Sequence, residues 1–261
     1  MANGAPRARD YAWPAYVFLR TELGALAALI VPAIVMVVVV GVVAGAQNLK
    51  LVKAFAAVFA FLVFAQYARV VYTGLLDGRR PSPIELLSLD RTTVDMAWIS
   101  LVTSMATAVP MIPFVMGLGM LGASAGGEPP GAASVLPVAL LGLAGVAGVA
   151  YVGARLVFAL VLVAAKMRGR RIATAWQMSR GHTWLIVKIG VLTVLPLGLL
   201  GEVVGRLGGD EDGGLLPAVV TQSLAGMLNL AAVGVAAHAL VALYRDLTAS
   251  PSPPAVTARA A

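Results

Sequence analysis

Residues 23–49 read LGALAALIVPAIVMVVVVGVVAGAQNL, running from Leu23 to Leu49 without one charged side chain. An α-helix rises about 1.5 Å per residue, so about 20 apolar residues cross a hydrocarbon layer about 30 Å thick. This run meets that length and is longer than the apolar core of a secretory signal, so it is read as a retained membrane helix. Arg7, Arg9, Asp10, Arg20 and Glu22 precede it.

Working outward from that helix, five further segments qualify. The predicted spans are Gly24 to Ala46, Ala54 to Leu76 with Arg69 inside it, and Met96 to Leu121, followed by Leu136 to Ala165 with Arg155 inside it, Leu185 to Val204, and Leu215 to Tyr244. Composition agrees: 60% of the 261 residues are hydrophobic and 12% charged, against about 45–50% and about 25% in soluble domains. A chain with so few polar side chains cannot cover its own core with them, which leaves lipid as the cover. The predicted fold is an all-α, polytopic transmembrane helical bundle of six spans, with short interfacial amphipathic helices on the cytoplasmic side. Residues 1–22 form a cytoplasmic N-terminal segment, 23–246 the bundle, and 247–261 a disordered cytoplasmic tail containing Pro251, Pro253 and Pro254.

The net charge of +7 does not indicate nucleic acid, because the basic residues lie in short clusters between apolar runs. Positively charged flanks are retained in the cytoplasm. With the N-terminus inside, Arg7, Arg9, Arg20, Arg79, Arg80, Arg91, Lys166, Arg168, Arg170, Arg171, Arg180, Lys188, Arg245 and Arg259 fall on that side, and Lys50, Lys53 and Arg206 on the other. The opposite loops are Gly-rich or acidic, at Gly122 to Gly131 and Gly208 to Gly214. Glu202 and Arg206, four residues apart, should form a helix-end ion pair.

Pro110 and Pro113 inside the third span each remove a backbone donor, predicting a kink or a local opening of that helix. Gly142, Gly145, Gly148 and Gly153, like Gly41 and Gly45, suit close helix packing through small residues.

Two cytoplasmic segments carry helix signals. In Ser82-Pro83-Ile84-Glu85, Ser82 is placed to cap, Pro83 to occupy the first helical position and Glu85 to complete a capping box. From Arg170 to Arg180, Ile172, Ala175 and Trp176 share one face, while Arg170, Thr174 and Gln177 lie opposite, as in an interfacial helix anchored by Trp176. Gly78-Arg79-Arg80 and Gly169-Arg170-Arg171 each follow a span and precede a short helix, which suggests a duplicated hairpin. The surface for anionic lipid or a protein partner is therefore assigned to Arg79, Arg80, Arg170, Arg171, Trp176 and Arg180.

Ionisable groups within a span cost about 2.5–3.5 kcal/mol near the centre and mark candidate sites. Two readings of Arg69 and Arg155 stay open. In one, they face a single interior cavity with His238 and bind an anionic group such as a lipid phosphate. In the other, they snorkel or satisfy backbone carbonyls. No acidic residue is expected at their depth. Gln66 adds a further polar group to the second span.

There is no cysteine, and His182 and His238 are far apart, so no metal set, thiolate nucleophile or cofactor is expected. No phosphate loop, nucleophile elbow or catalytic carboxylate pair is recognisable, and the chain reads as non-enzymatic.

Arg155, the stretch Ala175-Trp176-Gln177-Met178-Ser179-Arg180-Gly181, and Trp184 together resemble the membrane domain of some glycerophosphoryl diester phosphodiesterases and of stand-alone bacterial membrane proteins. Asp77-Gly78-Arg79-Arg80-Pro81-Ser82 is similar to that family's segment before its third hairpin arm. The chain departs from the family pattern at Ala175, where Ser is usual, and at Lys166, where an acid is common. The resemblance implies a helical module without the soluble catalytic domain. The expected location is the bacterial cytoplasmic membrane, with both termini inside and a membrane-protein partner or a second copy as neighbour.

Overall fold

The structure is a computed structural model that describes residues 6–46, 50–124, 132–167, 169–207 and 215–249. Side chains of residues 41–46, 121–124, 132–134, 207 and 215–218 lie outside that description. So do the loops 125–131 and 208–214, the expected tail from residue 250, and with them the packing roles assigned to Gly41 and Gly45.

Hydrocarbon offers no partner for backbone N–H and C=O groups, so apolar runs of this length satisfy themselves as helices. In chain order these are α1 (Ala8–Thr21), α2 (Leu23–Ala46), α3 (Lys50–Asp77), a 3-10 helix (Pro83–Leu87), α4 (Arg91–Ala108) and a 3-10 turn (Val109–Met111), then α5 (Ile112–Ser124), α6 (Ala132–Leu156), α7 (Phe158–Ala164), α8 (Arg171–Met178), α9 (Thr183–Leu207) and α10 (Leu215–Ala249). No strand occurs among the described residues. Six stretches, 23–40, 50–77, 91–120, 135–164, 183–206 and 219–249, are long and apolar enough to cross a membrane. The chain is an all-α helical bundle and a multi-pass membrane protein. Its lipid-facing surface carries Leu51, Phe55, Val115 and Leu143, large apolar side chains left exposed on the outside of the helices.

The core gathers around α10, which packs on α9, α1, α3 and α2. Val235, Ala237 and Ala239 of α10 are fully buried, as is Tyr67 of α3, whose hydroxyl donates to the Leu230 carbonyl at 2.9 Å. The short α7 is apolar throughout, and Phe158, Ala159 and Leu162 have no exposure at all.

Pro110 interrupts the third span as the sequence predicts: α4 gives way to the 3-10 turn, and Pro113 falls in the first turn of α5 where its missing N–H costs nothing. The bulge made there is accepted by glycines of α6. A Cβ on Gly148 would stand 2.6 Å from Pro110 Cβ, and one on Gly145 would stand 2.8 Å from Met111 Sδ and 3.1 Å from the Pro110 carbonyl oxygen. One on Gly142 would meet the Phe114 ring at 2.8 Å. Gly153 is different, because its nearest neighbour, Thr107 Cγ2, would be in ordinary contact at 3.7 Å. The expected Glu202–Arg206 pair forms at 2.9 Å.

The N-terminal segment, anticipated only as cytoplasmic chain, folds as the amphipathic helix α1. Tyr11, Ala12 and Ala15 are buried while Arg9, Trp13 and Arg20 face outward. Asp10 accepts the Arg7 backbone N–H at 2.9 Å, satisfying a donor at the helix start. Tyr11 donates to Asp246 at 2.9 Å and Tyr16 to the Leu192 carbonyl at 2.9 Å, fastening α1 to α10 and α9. Burial, then the hydrogen bond to Asp246, pushes the Tyr11 hydroxyl up to about 12, so it remains a donor at physiological pH. At the other terminus α10 continues helical to Ala249, past the boundary of 246 drawn from the sequence.

Candidate functional site at the basic end of the bundle

The start of α2, the end of α3, the start of α4, the helix α8 and the end of α10 lie together at one end. Three contacts show this: Arg80 pairs with Glu22 at 3.2 Å, Arg171 with Asp95 at 2.7 Å, and Arg245 donates to the Leu75 carbonyl at 2.7 Å. Most of the described basic residues lie here.

On α3, Gln66 and Arg69 are three residues apart and so share a face. The chain leaving α3 turns at Gly78, whose φ of 67° is the left-handed conformation suited to glycine. It then passes through the 3-10 helix and returns against that face. Gln66 Nε2 donates to the carbonyls of Glu85 at 2.8 Å and Ser88 at 2.6 Å, and its Oε1 accepts from the Thr93 hydroxyl. Arg69 donates to Asp90 at 2.7 Å, to the Glu85 carbonyl at 2.7 Å and to Ser88 Oγ at 3.0 Å. The other Asp90 oxygen accepts the Thr93 N–H at 2.8 Å, capping α4. Partial burial pushes the Asp90 carboxyl up, but the Thr93 amide and hydroxyl, with the Arg69 charge, hold it below the usual carboxylate range.

Two expectations are corrected here. An acid does reach Arg69, because the connector folds back into the bundle end, so distance along the sequence from a loop does not measure depth. The capping box at Ser82 does not form either: Pro83 takes the first helical position, but the Ser82 side chain makes no cap. Both Glu85 oxygens go instead to Arg79, which also reaches Asp77 at 3.2 Å. A charged guanidinium fork outcompetes a neutral backbone amide for a carboxylate.

Arg155 acts in a parallel way on the second basic segment. Its Nη1 donates to the Trp176 carbonyl at 3.1 Å, and Nε and Nη2 approach the Tyr151 hydroxyl at 3.3 and 3.2 Å. The guanidinium carbon lies 5.4 Å from the Tyr151 ring centre and 5.1 Å from that of Trp176, within cation–π range. Ser179 Oγ donates back to the Arg155 carbonyl at 3.1 Å. Arg171 adds a second fastening, donating to the Met167 carbonyl at 2.7 Å and to Asp95. Within α8, Ala175 is fully buried, whereas Ile172 and Trp176 are 36% and 39% exposed, so the apolar face is shared between bundle and lipid. Arg170 and Arg180 are exposed. Replacing Arg155 by alanine should loosen α8 while leaving the spans folded, with about 1–2 kcal/mol lost from the hydrogen bond and cation–π contact. Hydrogen exchange at residues 171–178 is the measurement that checks it.

Arg69, Arg155 and His238 do not meet in one cavity. Arg69 lines a cleft of about 230 Å³ with Asp90 and Lys166. His238 lies beyond α3, stacked on Phe18 with ring centres 4.7 Å apart, beside a cavity of about 690 Å³ lined also by Trp13, Arg79 and Arg80. Arg155 lines neither cavity. The physical reason is that each arginine is already occupied by the segment following its own span. Among the described residues no group of three His, Asp or Glu side chains could hold a metal ion.

Asp90 and Tyr11 were not singled out from the sequence. Asp90 carries a local signal, an acid directly before the apolar-periodic run of α4. The partner it reaches on α3 carries none. Comparison with family models, with curated proteins and with solved structures finds no match.

Proposed function

We propose that this chain is a non-enzymatic membrane module whose basic end is a firm contact surface, facing the cytoplasmic leaflet of a bacterial inner membrane. Its neighbours there are anionic lipids and a membrane-protein partner or second copy. The observation that carries this reading is that both arginines within spans bind the chain's own connecting segments, Arg69 the one before α4 and Arg155 helix α8. They stiffen the surface rather than line a path. The concentration of Arg79, Arg80, Arg170 and Arg180 at that end suits retention in the cytoplasm and attraction to anionic headgroups.

Anion flux from proteoliposomes containing the full chain tests it. The expected result is no release of a trapped anionic reporter above empty vesicles. Release that disappears in Arg69→Ala would overturn it in favour of an anion transporter built on the intramembrane arginines.

Orientation is open to a direct check, since the chain contains no cysteine. A membrane-impermeant maleimide applied to intact cells should label Lys53→Cys and leave Gln177→Cys unlabelled until the membrane is permeabilised. The reverse pattern would place the basic end outside.

A further inference from the structure

Between α4 and α8 the bundle carries two adjoining cavities of opposite character. One, of about 770 Å³, is lined by Arg91, Lys166 and Arg171 against the single carboxylate Asp95. The other, of about 780 Å³, is lined by Trp98, Ile99, Ile172 and Trp176. They share Asp95, Gly169 and Arg171 in their lining, so they adjoin across the Arg171–Asp95 pair and together form the trough. Arg171 and Asp95 bind each other at 2.7 Å and neutralise one another, which leaves Arg91 and Lys166 as surplus cations of the polar cavity, with Arg170 at the edge of the aromatic one; none of the three has an ion-pair partner among the described residues. Lys166 also has a φ of 55°, the one non-glycine positive φ among the described residues. That conformation is the left-handed cap ending α7, with the Lys166 N–H donating to the Val163 carbonyl at 2.9 Å and the Met167 N–H to the Leu162 carbonyl at 3.1 Å.

The direction of the trough is set by α4. Arg91, Asp95 and Trp98 succeed one another at helical spacing along one stripe, running from the basic end toward the middle of the span. Seven residues separate Arg91 from Trp98, a rise of about 10 Å. Trp98 is 63% exposed and lies on the outward, apolar surface of the helix. A cationic cleft at headgroup level beside an aromatic groove whose Trp98 lies about 10 Å further along α4, facing hydrocarbon, matches an amphiphile with a phosphate at one end and an acyl chain at the other.

We infer that the α4–α8 trough is a binding site for one anionic diacyl phospholipid, its phosphate held by Arg91 and Lys166 and an acyl chain lying along Trp98 and Trp176. This deepens the contact-surface reading by naming a lipid at that surface, and its readout is independent of anion flux. Phosphate suits these residues because it accepts charge-assisted bonds from both guanidinium and ammonium groups.

The experiment is native mass spectrometry of the full, delipidated chain titrated with phosphatidylglycerol or phosphatidylcholine, alongside tryptophan quenching by phosphatidylglycerol brominated on its acyl chain. One retained phosphatidylglycerol is expected, preferred at least tenfold over phosphatidylcholine. The double variant Arg91→Gln, Lys166→Gln should lose that preference, and Trp98→Leu should lose part of the quenching while keeping the preference for the anionic headgroup. Arg20→Gln, outside the trough, should bind as the parent does, and thermal unfolding identifies any variant that has not folded, in which case Lys166→Gln alone replaces the double variant. Equal retention of both lipids would overturn the proposal, as would undiminished preference in the folded variants. Competition by inorganic phosphate with no effect of Trp98→Leu would assign a free anion instead. A dimer whose abundance falls with Trp98→Leu would assign the groove to a second copy.

Discussion

Arg69→Ala should cause the largest loss of stability of any single substitution at the basic end. The arginine side chain is 10% exposed and holds three groups of the returning connector: Asp90, the Glu85 carbonyl and Ser88. Removing one partner of a buried ion pair costs about 3–5 kcal/mol, because the other is left uncompensated. Asp90 is 48% exposed, and water can take over part of that role, so the lower end of the range, about 3 kcal/mol, is expected. Thermal unfolding in detergent measures this, and trypsin cleavage after Arg79 should accelerate as the connector detaches from α3. Arg69→Lys should recover only a small part, since an ammonium cannot reproduce the fork that reaches Asp90 and the Glu85 carbonyl together. The sign of the pH dependence follows from Asp90. Its folded value lies below the unfolded 3.8, so its contribution is present above 3.8 and is lost as pH falls through the lowered value. Parent and Arg69→Ala should therefore differ by a constant amount near neutrality and by a smaller one in strong acid, where the attraction to Asp90 is gone but the bonds to the Glu85 carbonyl and Ser88 remain.

Gly148→Val should be the second largest effect, acting far from the basic end. Its Cβ would lie 2.6 Å from Pro110 Cβ, a separation that packed carbon atoms do not adopt, and a proline ring fixed in a 3-10 turn has no rotamer with which to yield. Overpacking of this kind costs about 1–3 kcal/mol per site and forces backbone shifts. Gly153→Ala is the internal contrast, because there the new methyl group meets Thr107 at an ordinary 3.7 Å. The helix preference for alanine over glycine, up to about 1 kcal/mol, should then dominate and leave that variant neutral or more stable. Unfolding midpoints of the two variants, compared with the parent, separate a tight seam from a general intolerance of α6 to substitution.

These two sites differ in how far they could be read from the chain. The Gly142, Gly145, Gly148 series on α6 and the Pro110 break in the third span were each visible, because glycine spacing and a proline inside an apolar run are local signals. That they face each other is a tertiary fact. The six spans were legible for the same reason, since hydropathy over about 20 residues is a property of the segment alone. Helix α1 escaped notice because its buried side chains include Ala12 and Ala15, which barely register as apolar, and because Pro14 lies inside it. Arg69 and Arg155 were recognisable as costly residues needing partners, but the partners were not. Asp90 and the Trp176 carbonyl reach them only because the connectors fold back along the helices they have just left. The single anionic cavity imagined from Arg69, Arg155 and His238 failed on the same point: depth along three helices says nothing about the direction each side chain faces.

The return of the connector to Arg69 also bears on how the chain enters the bilayer during synthesis. An arginine two turns inside α3 carries a transfer cost of a few kcal/mol, and residue 90, which offsets it, is synthesised after the whole of α3. Lone α3 is therefore a poorly satisfied intermediate. Helix α3 with the connector as far as Asp90 is the smallest piece of nascent chain in which the guanidinium has its partners, so α3 should settle in the bilayer only once that connector has folded back on it.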